Sequence, residues 1–536
     1  MILLAGLALR LVHFQLVRNA FFFQRPFLDA DFYHRWALEI AGGDWVGLHR
    51  GIFAMSPGYS YLLAALYSLF GAGITTAVLA QFLLGIACGW MIYLLGRKHL
   101  SREAGLVGAA IFLLYPPELF FESTLLKPVL INAVTLGSLL AASTAQPAWC
   151  LTAGFLTGCS AHLRPTALLL VPVIALWLWR RSARRLPALA LLGGGLFLAL
   201  LPVALRNHAV GGEWVWTTAH GGMNFYTGNS PESRGPYEML PFARTDTADE
   251  QEAFLQEARR RSGRELTPAQ ASRFWYAESL RFIRREPVRE AALLLKKAVI
   301  FLNGYEAPIN MDYNFLRREL GPVLALPLFS FAVLLPLAVL GMARAAPHAL
   351  LLGSLATVFL ANIVFLTSSE YRFPAVPLLC LYAGHAVCAV ARDVRGRAVK
   401  PLLLSWGSLA LLLALTSVDV YAHLPGLSNY KRTAAANSLY NQGLEYHLAG
   451  RDEEAIRDYL RSESFNPDDP VLQNNLGIVL ARRGRLAEAV LHFRKALPGF
   501  PDAHYNLGRT LTLLGRHEEA REPLRQAEII ARGRRP

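Results

Sequence analysis

Long apolar runs alternate with polar breaks from residue 2 to about residue 421. The runs fall near 2–22, 74–95, 103–117, 128–145, 148–164, 166–180, 186–205, 321–343, 348–367, 373–391 and 401–421. Several reach the ~18–20 residues that cross a bilayer. As buried helices of one soluble core they would be too many and too long. The pattern predicts an all-α, polytopic transmembrane helical bundle of about eleven spans. Two breaks are long: 24–56, and the polar, Arg-rich segment 206–320. A further apolar run opens at Ser56-Pro57 and stops at Gly71 and Gly73, with Pro suited to a first helical turn and Gly to an end. At ~14 residues it is short for a span, and an interfacial helix is expected there.

From about Asn437 the pattern changes to a repeat. Gly443, Tyr446, Ala455, Tyr459, Ser462 and Pro467 form one set; Gly477, Leu480, Ala489, Phe493, Ala496 and Pro501 repeat it 34 residues on, and Gly508, Leu511, Ala520, Leu524 and Ala527 after a further 31. Small residues let paired helices approach and large ones fill the gap between them. This resembles the tetratricopeptide repeat, a stack of helix pairs with a binding face. The shorter second interval, at Lys495-Ala496-Leu497-Pro498-Gly499, predicts a clipped second helix. The domain division expected is 1–425 in the membrane and 430–536 as the repeat array, a platform for a protein partner or a packing module.

Composition agrees with a membrane protein: 54% hydrophobic and 17% charged, with a net charge of +14. The positive charge does not require nucleic acid, because it concentrates in short loops. Arg97, Lys98 and Arg102, then Arg180, Arg181, Arg184 and Arg185, then Arg344, then Arg392, Arg395, Arg397 and Lys400 follow alternate spans. Basic short loops stay inside, so the amino terminus is expected inside, with 24–56, 206–320 and the tail outside. Cys88, Cys150, Cys159, Cys380 and Cys388 all lie in apolar runs without metal-type spacing, which reads as packing rather than disulfide or zinc. Met1 to Phe23 lacks the basic start and cleavage site of a signal peptide and reads as a retained first helix. It also lacks preceding cytosolic charges, so a start codon upstream is expected. Arg10 and His13 inside it should face a partner or cavity.

The candidate chemistry starts at Asp29 and Asp31, directly after the first run and flanked by Phe27, Phe32, Tyr33 and Trp36. A loop can carry two aspartates for solubility alone. A carboxylate also suits the removal of a proton from an acceptor hydroxyl. Basic residues at three other outer boundaries suit a phosphate: Lys127 with Glu122 in Glu122–Pro128, Arg164 in His162-Leu163-Arg164-Pro165, and Arg372 with Glu370 in Glu370–Pro374. Each is equally a position for interfacial snorkelling. The segment His220–Asn229 offers glycines, Asn224 and Tyr226, either as sugar contacts or as a structural turn. Stretches 252–261 and 274–285 read as amphipathic helices at the headgroups. No phosphate-cradling Gly-rich nucleotide loop, nucleophilic Ser triad or metalloprotease helix is present.

The order of these elements resembles the polytopic C-type glycosyltransferases: an acidic loop after the first span, Gly43-Asp44-Trp45, a Ser-Pro-x-Tyr helix ending in Leu-Phe-Gly, then a span ending Leu-Leu-Gly-Arg-Lys. The dolichyl-phosphate-mannose protein mannosyltransferases and bacterial lipid A aminoarabinose transferases are of this kind, and the resemblance runs to about residue 395. It implies a sugar transferred with inversion from a polyprenyl-phosphate donor to a lipid, glycan or protein hydroxyl on the outer face. A bacterial inner membrane is the expected setting. It implies Asp29 as base, with Tyr33 at the family's spacing, and Arg164, Arg372 and Lys127 near the phosphate. Ala30 stands where the family commonly has Glu, so Asp31 is assigned the second acidic role, as helper or as contact to a possible divalent metal; no other cofactor is implied. Met55 replaces the family's Lys near the interfacial Pro. An O-antigen-type polymerase or ligase, and a non-catalytic scaffold acting through its repeats, are the alternatives.

Overall fold

The computed structural model describes residues 1–243, 247–319, 323–324, 330–498 and 500–533. The chain divides into two compact units, Met1–Val420 and Tyr421–Pro536.

In the first unit each apolar run condenses into helix. Ile2–Val17, Ile74–His99, Pro128–Ala142, Pro147–Ala161, Leu170–Arg181, Arg185–Gly211, Phe331–Arg344, Ala349–Val364, Val376–Arg395 and Val399–Ser417 follow one another, with Arg102–Leu113 and Pro116–Glu122 bent by 58° between them. The start of the run expected at 321–343 lies outside the described residues. Among the described residues four helices are long and apolar enough to cross a membrane, or five if the bent pair is one span; several of the rest have only 10–17 residues. The eleven runs are thus helices of unequal reach. Breaks at Pro116 and Pro165 shorten two of them.

Close helix contact rests on small residues, as expected where lipid supplies no hydrophobic drive. A Cβ on Gly154 would sit 2.0 Å from the Leu192 carbonyl oxygen, and one on Gly195 would sit 2.0 Å from that of Leu151, so Pro147–Ala161 and Arg185–Gly211 pack backbone to backbone. At one end of the bundle the basic boundaries meet: His99 lies 4.3 Å from His348, which lies 4.7 Å from Trp177. At the other end the polar segments fold over the helix ends. There Gly58–Phe70 forms the short helix expected, with Leu69 and Phe70 exposed. The two amphipathic stretches extend to Thr247–Ser262 and Pro268–Arg285, the latter begun by a Thr267/Gln270 capping box. They pack on each other and on Gly221–Gly228 through Phe254, Trp275, Met223 and Tyr226.

The second unit is three helix pairs: Tyr430–Leu448 with Asp452–Phe465, Pro470–Arg482 with Leu486–Ala496, and Ala503–Leu513 with His517–Gly533. Its core contains the repeated positions Ala455, Tyr459, Leu480, Ala489, Phe493, Leu511 and Ala520. Gly477 explains the pattern: a Cβ there would meet the Phe493 ring at 2.7 Å. The second helix of the middle pair has 11 residues against 14 in the first pair, the shortening that the reduced interval implied.

Candidate active site

The predicted loop around Asp29 is helical. Leu28 adopts φ 52°, a backbone that L side chains seldom take, and turns the chain into the helix Asp29–Ala41. Asp29 thereby opens a first turn, where the helix dipole favours a carboxylate. Lys127 caps Pro128–Ala142, Arg164 precedes the 3-10 turn Pro165–Leu169, and Glu370 and Tyr371 lie in the short helix Ser369–Arg372. These starts surround a cavity of about 320 Å³ that Asp29, Lys127, Arg164, Asn224 and Glu370 line together. Met55, Ser56, His220, Tyr237, Glu250, Tyr276, Asn310 and Tyr371 complete its polar and aromatic wall.

Asn310 ties the acidic groups, donating through Nδ2 to Asp29 Oδ2 (3.1 Å) and to Glu370 Oε2 (3.0 Å). Arg164 donates to the Glu370 carbonyl (3.0 Å) and to Glu370 Oε1 (3.2 Å), and lies 4.2 Å from the Tyr371 ring centroid. Its Nε is buried without a partner. Lys127 is different. Its Nζ donates to Tyr33 Oη (2.8 Å), and among the described residues no carboxylate forms an ion pair with it. Burial lowers its pKa, opposed by the attraction of Glu370. Burial and Lys127 together push His220 down to about 4, so its imidazole is neutral. Burial and the Asp29 charge push Glu250 up to about 7, while Tyr237 donates to its Oε1 (3.2 Å).

Five predicted residues do not reach the cavity. Tyr33 stands just behind it, under Lys127. Asp31 points aside into a partly exposed pair with Arg35 at 2.5 Å. Glu122 pairs with Arg10 at 2.6 Å, both fully buried, in space that a Cβ on Gly85 would fill. Arg372 is enclosed by Glu306 (2.6 Å) and the Phe301 and Asn303 carbonyls (2.9 and 2.7 Å), against the Phe331 ring. Tyr226 packs on Trp275 and accepts from Arg261 (3.0 Å). A metal at Asp29 and Asp31 is not favoured by this donor set: among the described residues the one trio of convergent ligand atoms is Glu39, Asp44 and His49, away from the cavity, where Arg50 already pairs with Glu39 at 2.5 Å. Sequence reasoning missed Glu250, Tyr237 and Asn310, which share no motif. His220 did lie in the glycine-rich segment.

Residues 54–205 match the family described as dolichyl-phosphate-mannose-protein mannosyltransferase. Tetratricopeptide-repeat profiles match residues 436–469, 453–503 and 475–534. Similar solved structures include the oligosaccharyltransferase AglB of Archaeoglobus fulgidus in complex with an inhibitory peptide and a dolichol-phosphate (15% identity, 81% of this chain, 58% of that chain, TM-score 0.38). Another is ArnT of Cupriavidus metallidurans bound to undecaprenyl phosphate (15% identity, 73% and 78%, TM-score 0.35). The peroxisomal targeting signal receptor of Candida albicans is 31% identical over 109 residues, 20% of this chain and 18% of that protein. The chain thus spans 58% of the archaeal enzyme and less than a fifth of the receptor. The fold defines a polytopic helical membrane protein with a helical-repeat tail. Its first unit carries mannosyltransferase-type sequence and its tail is a tetratricopeptide array.

Proposed function

We propose that the first unit is a membrane glycosyltransferase that moves a sugar from a polyprenyl-phosphate donor to an acceptor hydroxyl. The observation that carries this reading is the placement on one cavity of Asp29 and of Lys127, which forms no ion pair among the described residues. A buried ammonium without a carboxylate is costly unless an anion visits it. An apolar groove of about 50 Å³ adjoins that cavity and shares Arg164, Thr166 and Tyr371 with it. It lies among Pro128–Ala142, Leu170–Arg181 and Ala349–Val364, where a prenyl chain could lie while its phosphate meets Lys127.

In the step itself Asp29 takes the acceptor hydroxyl proton, and the freed oxygen bonds to the anomeric carbon. The bond from that carbon to the phosphate oxygen breaks with inversion, and its electron pair leaves on the lipid phosphate beside Lys127 and Arg164. The cavity end is assigned to the outer, periplasmic face of a bacterial inner membrane, because the opposite end gathers the basic short loops. The division expected at 425–430 is retained, with the repeats as a platform for a protein partner.

The test is consumption of labelled polyprenyl-phosphate hexoses and pentoses by the purified protein. Asp29→Asn should abolish transfer while leaving the protein folded. Retained transfer would sink the mechanism and favour a polymerase-type reading.

A further inference from the structure

Glu250 is the one cavity carboxylate that neither sequence motif nor ion pair explains. It comes from the helix Thr247–Ser262, is only 7% exposed, and lines the same cavity as Asp29. Among the described residues its one hydrogen bond is that accepted from Tyr237 at 3.2 Å. The charged and titratable groups around the cavity are Asp29, Lys127, Arg164, His220, Tyr237, Tyr276, Glu370 and Tyr371. Neither cation answers Glu250: Arg164 is spent on Glu370, and Lys127 donates to Tyr33. His220 is neutral. The charge that Glu250 does feel is that of Asp29, which is the same sign.

Two carboxyl groups facing one low-dielectric space disfavour each other's ionisation. The proton falls to the group with the poorer support for a charge. Asp29 has a helix start and an Asn310 amide; Glu250 has one phenol. An arriving phosphodiester adds further negative charge and strengthens that preference.

We propose that Glu250 acts as a neutral acid beside Asp29, offering its O–H to an oxygen of the bound donor, so that donor binding weakens when this proton is lost. The proposal rests on the cavity being the transfer site. Ionised Glu250 would replace a hydrogen-bond donor with a second negative charge facing the donor phosphate. A pH-dependent affinity follows, with tight binding on the acid side and weaker binding on the alkaline side of neutrality.

Two measurements on the full-length protein test it. The first is binding of a short-chain prenyl-phosphate mannose, a phosphodiester with no titration of its own near neutrality, between pH 6 and 8.5. The native protein should lose about tenfold in affinity across that range, as expected for one proton. Glu250→Gln, which keeps a neutral donor, should hold the acid-side affinity and lose the pH dependence. Glu250→Ala should bind about tenfold more weakly than the native protein on the acid side, the loss of one hydrogen bond to a charged oxygen, and show no pH dependence. An unchanged pH dependence in Glu250→Gln, or native acid-side affinity in Glu250→Ala, overturns the proposal. The second measurement needs no ligand. An infrared difference titration should show a protonated-carboxyl carbonyl band that is absent in Glu250→Gln and titrates at lower pH in Asp29→Asn; a band that survives in Glu250→Gln refutes the proton assignment. Transfer retained by Asp29→Asn would instead refute the reading of this cavity as the transfer site, and the infrared result would still decide where the proton sits.

Discussion

The membrane unit holds two sorts of buried charge, and their partners set them apart. Arg10 with Glu122 and Arg372 with Glu306 are ion-paired within the fold, away from the cavity, although Arg10 Nε and Glu122 Oε2 keep no partner. Arg10 also donates to the Gly6 and Leu113 carbonyls, and Arg372 to those of Phe301 and Asn303. Around the cavity the sets are open: among the described residues Lys127 meets a phenol and its ring, Arg164 keeps a buried Nε without an acceptor, and Glu250 has one hydrogen bond. Lys127 and Arg372 look alike in sequence, each a basic residue within two positions of a proline at a helix start. One is available to a ligand and the other is consumed by the fold. Unused hydrogen-bonding capacity on groups that line a cavity, rather than charge or burial alone, marks the place built for something else.

That contrast can be broken by substitution. The largest effect is expected at Asp29: Asp29→Asn should cut transfer by about 10²–10⁴-fold with an unchanged melting curve. Next comes Arg372→Gln, which strands the buried Glu306 and should cost about 3–5 kcal/mol of stability, read as a fall in melting temperature; pairing it with Glu306→Gln should recover much of the loss. If Arg372→Gln instead lost transfer at native stability, Arg372 would belong with the open group. Lys127→Met should raise the donor KM by about 10–100-fold, the worth of one charged hydrogen bond, while leaving melting unchanged or slightly higher. Its ammonium has no ion pair to lose. The smallest effect is expected at Asp31, whose partly exposed pair with Arg35 is worth about 0.3–0.5 kcal/mol. Asp31→Asn should change transfer less than about twofold, and a larger loss would return it to the site.

Much of the architecture follows from pattern. Hydrophobic length places the helices of the first unit, because backbone groups in lipid must be satisfied within the segment. The recurring glycine opposite a large side chain locates the helix pairs of the second, as Gly443 does against Tyr459 and Gly508 against Leu524. Exact reach was less legible, since internal prolines end helices that hydropathy alone would continue. The loop assigned to Asp29 became a helix start because Leu28 takes a backbone conformation that composition does not reveal.

The sequence by itself determined the class of fold, the repeat tail, and Asp29, Lys127, Arg164, Asn224 and Glu370 as candidates, because each stands at a helix start or turn with chemistry unusual for its place. Only the tertiary structure decided which candidates work together. It drew Asn310 to Asp29 across 281 positions and Arg164 to Glu370 across 206, and brought Glu250 from a separate helix into the same cavity. It also enclosed Glu122 and Arg372 in pairs of their own. The reason is physical: a local pattern fixes where a side chain leaves the backbone, but the partners that saturate it, or leave it open to a ligand, come from distant parts of the chain.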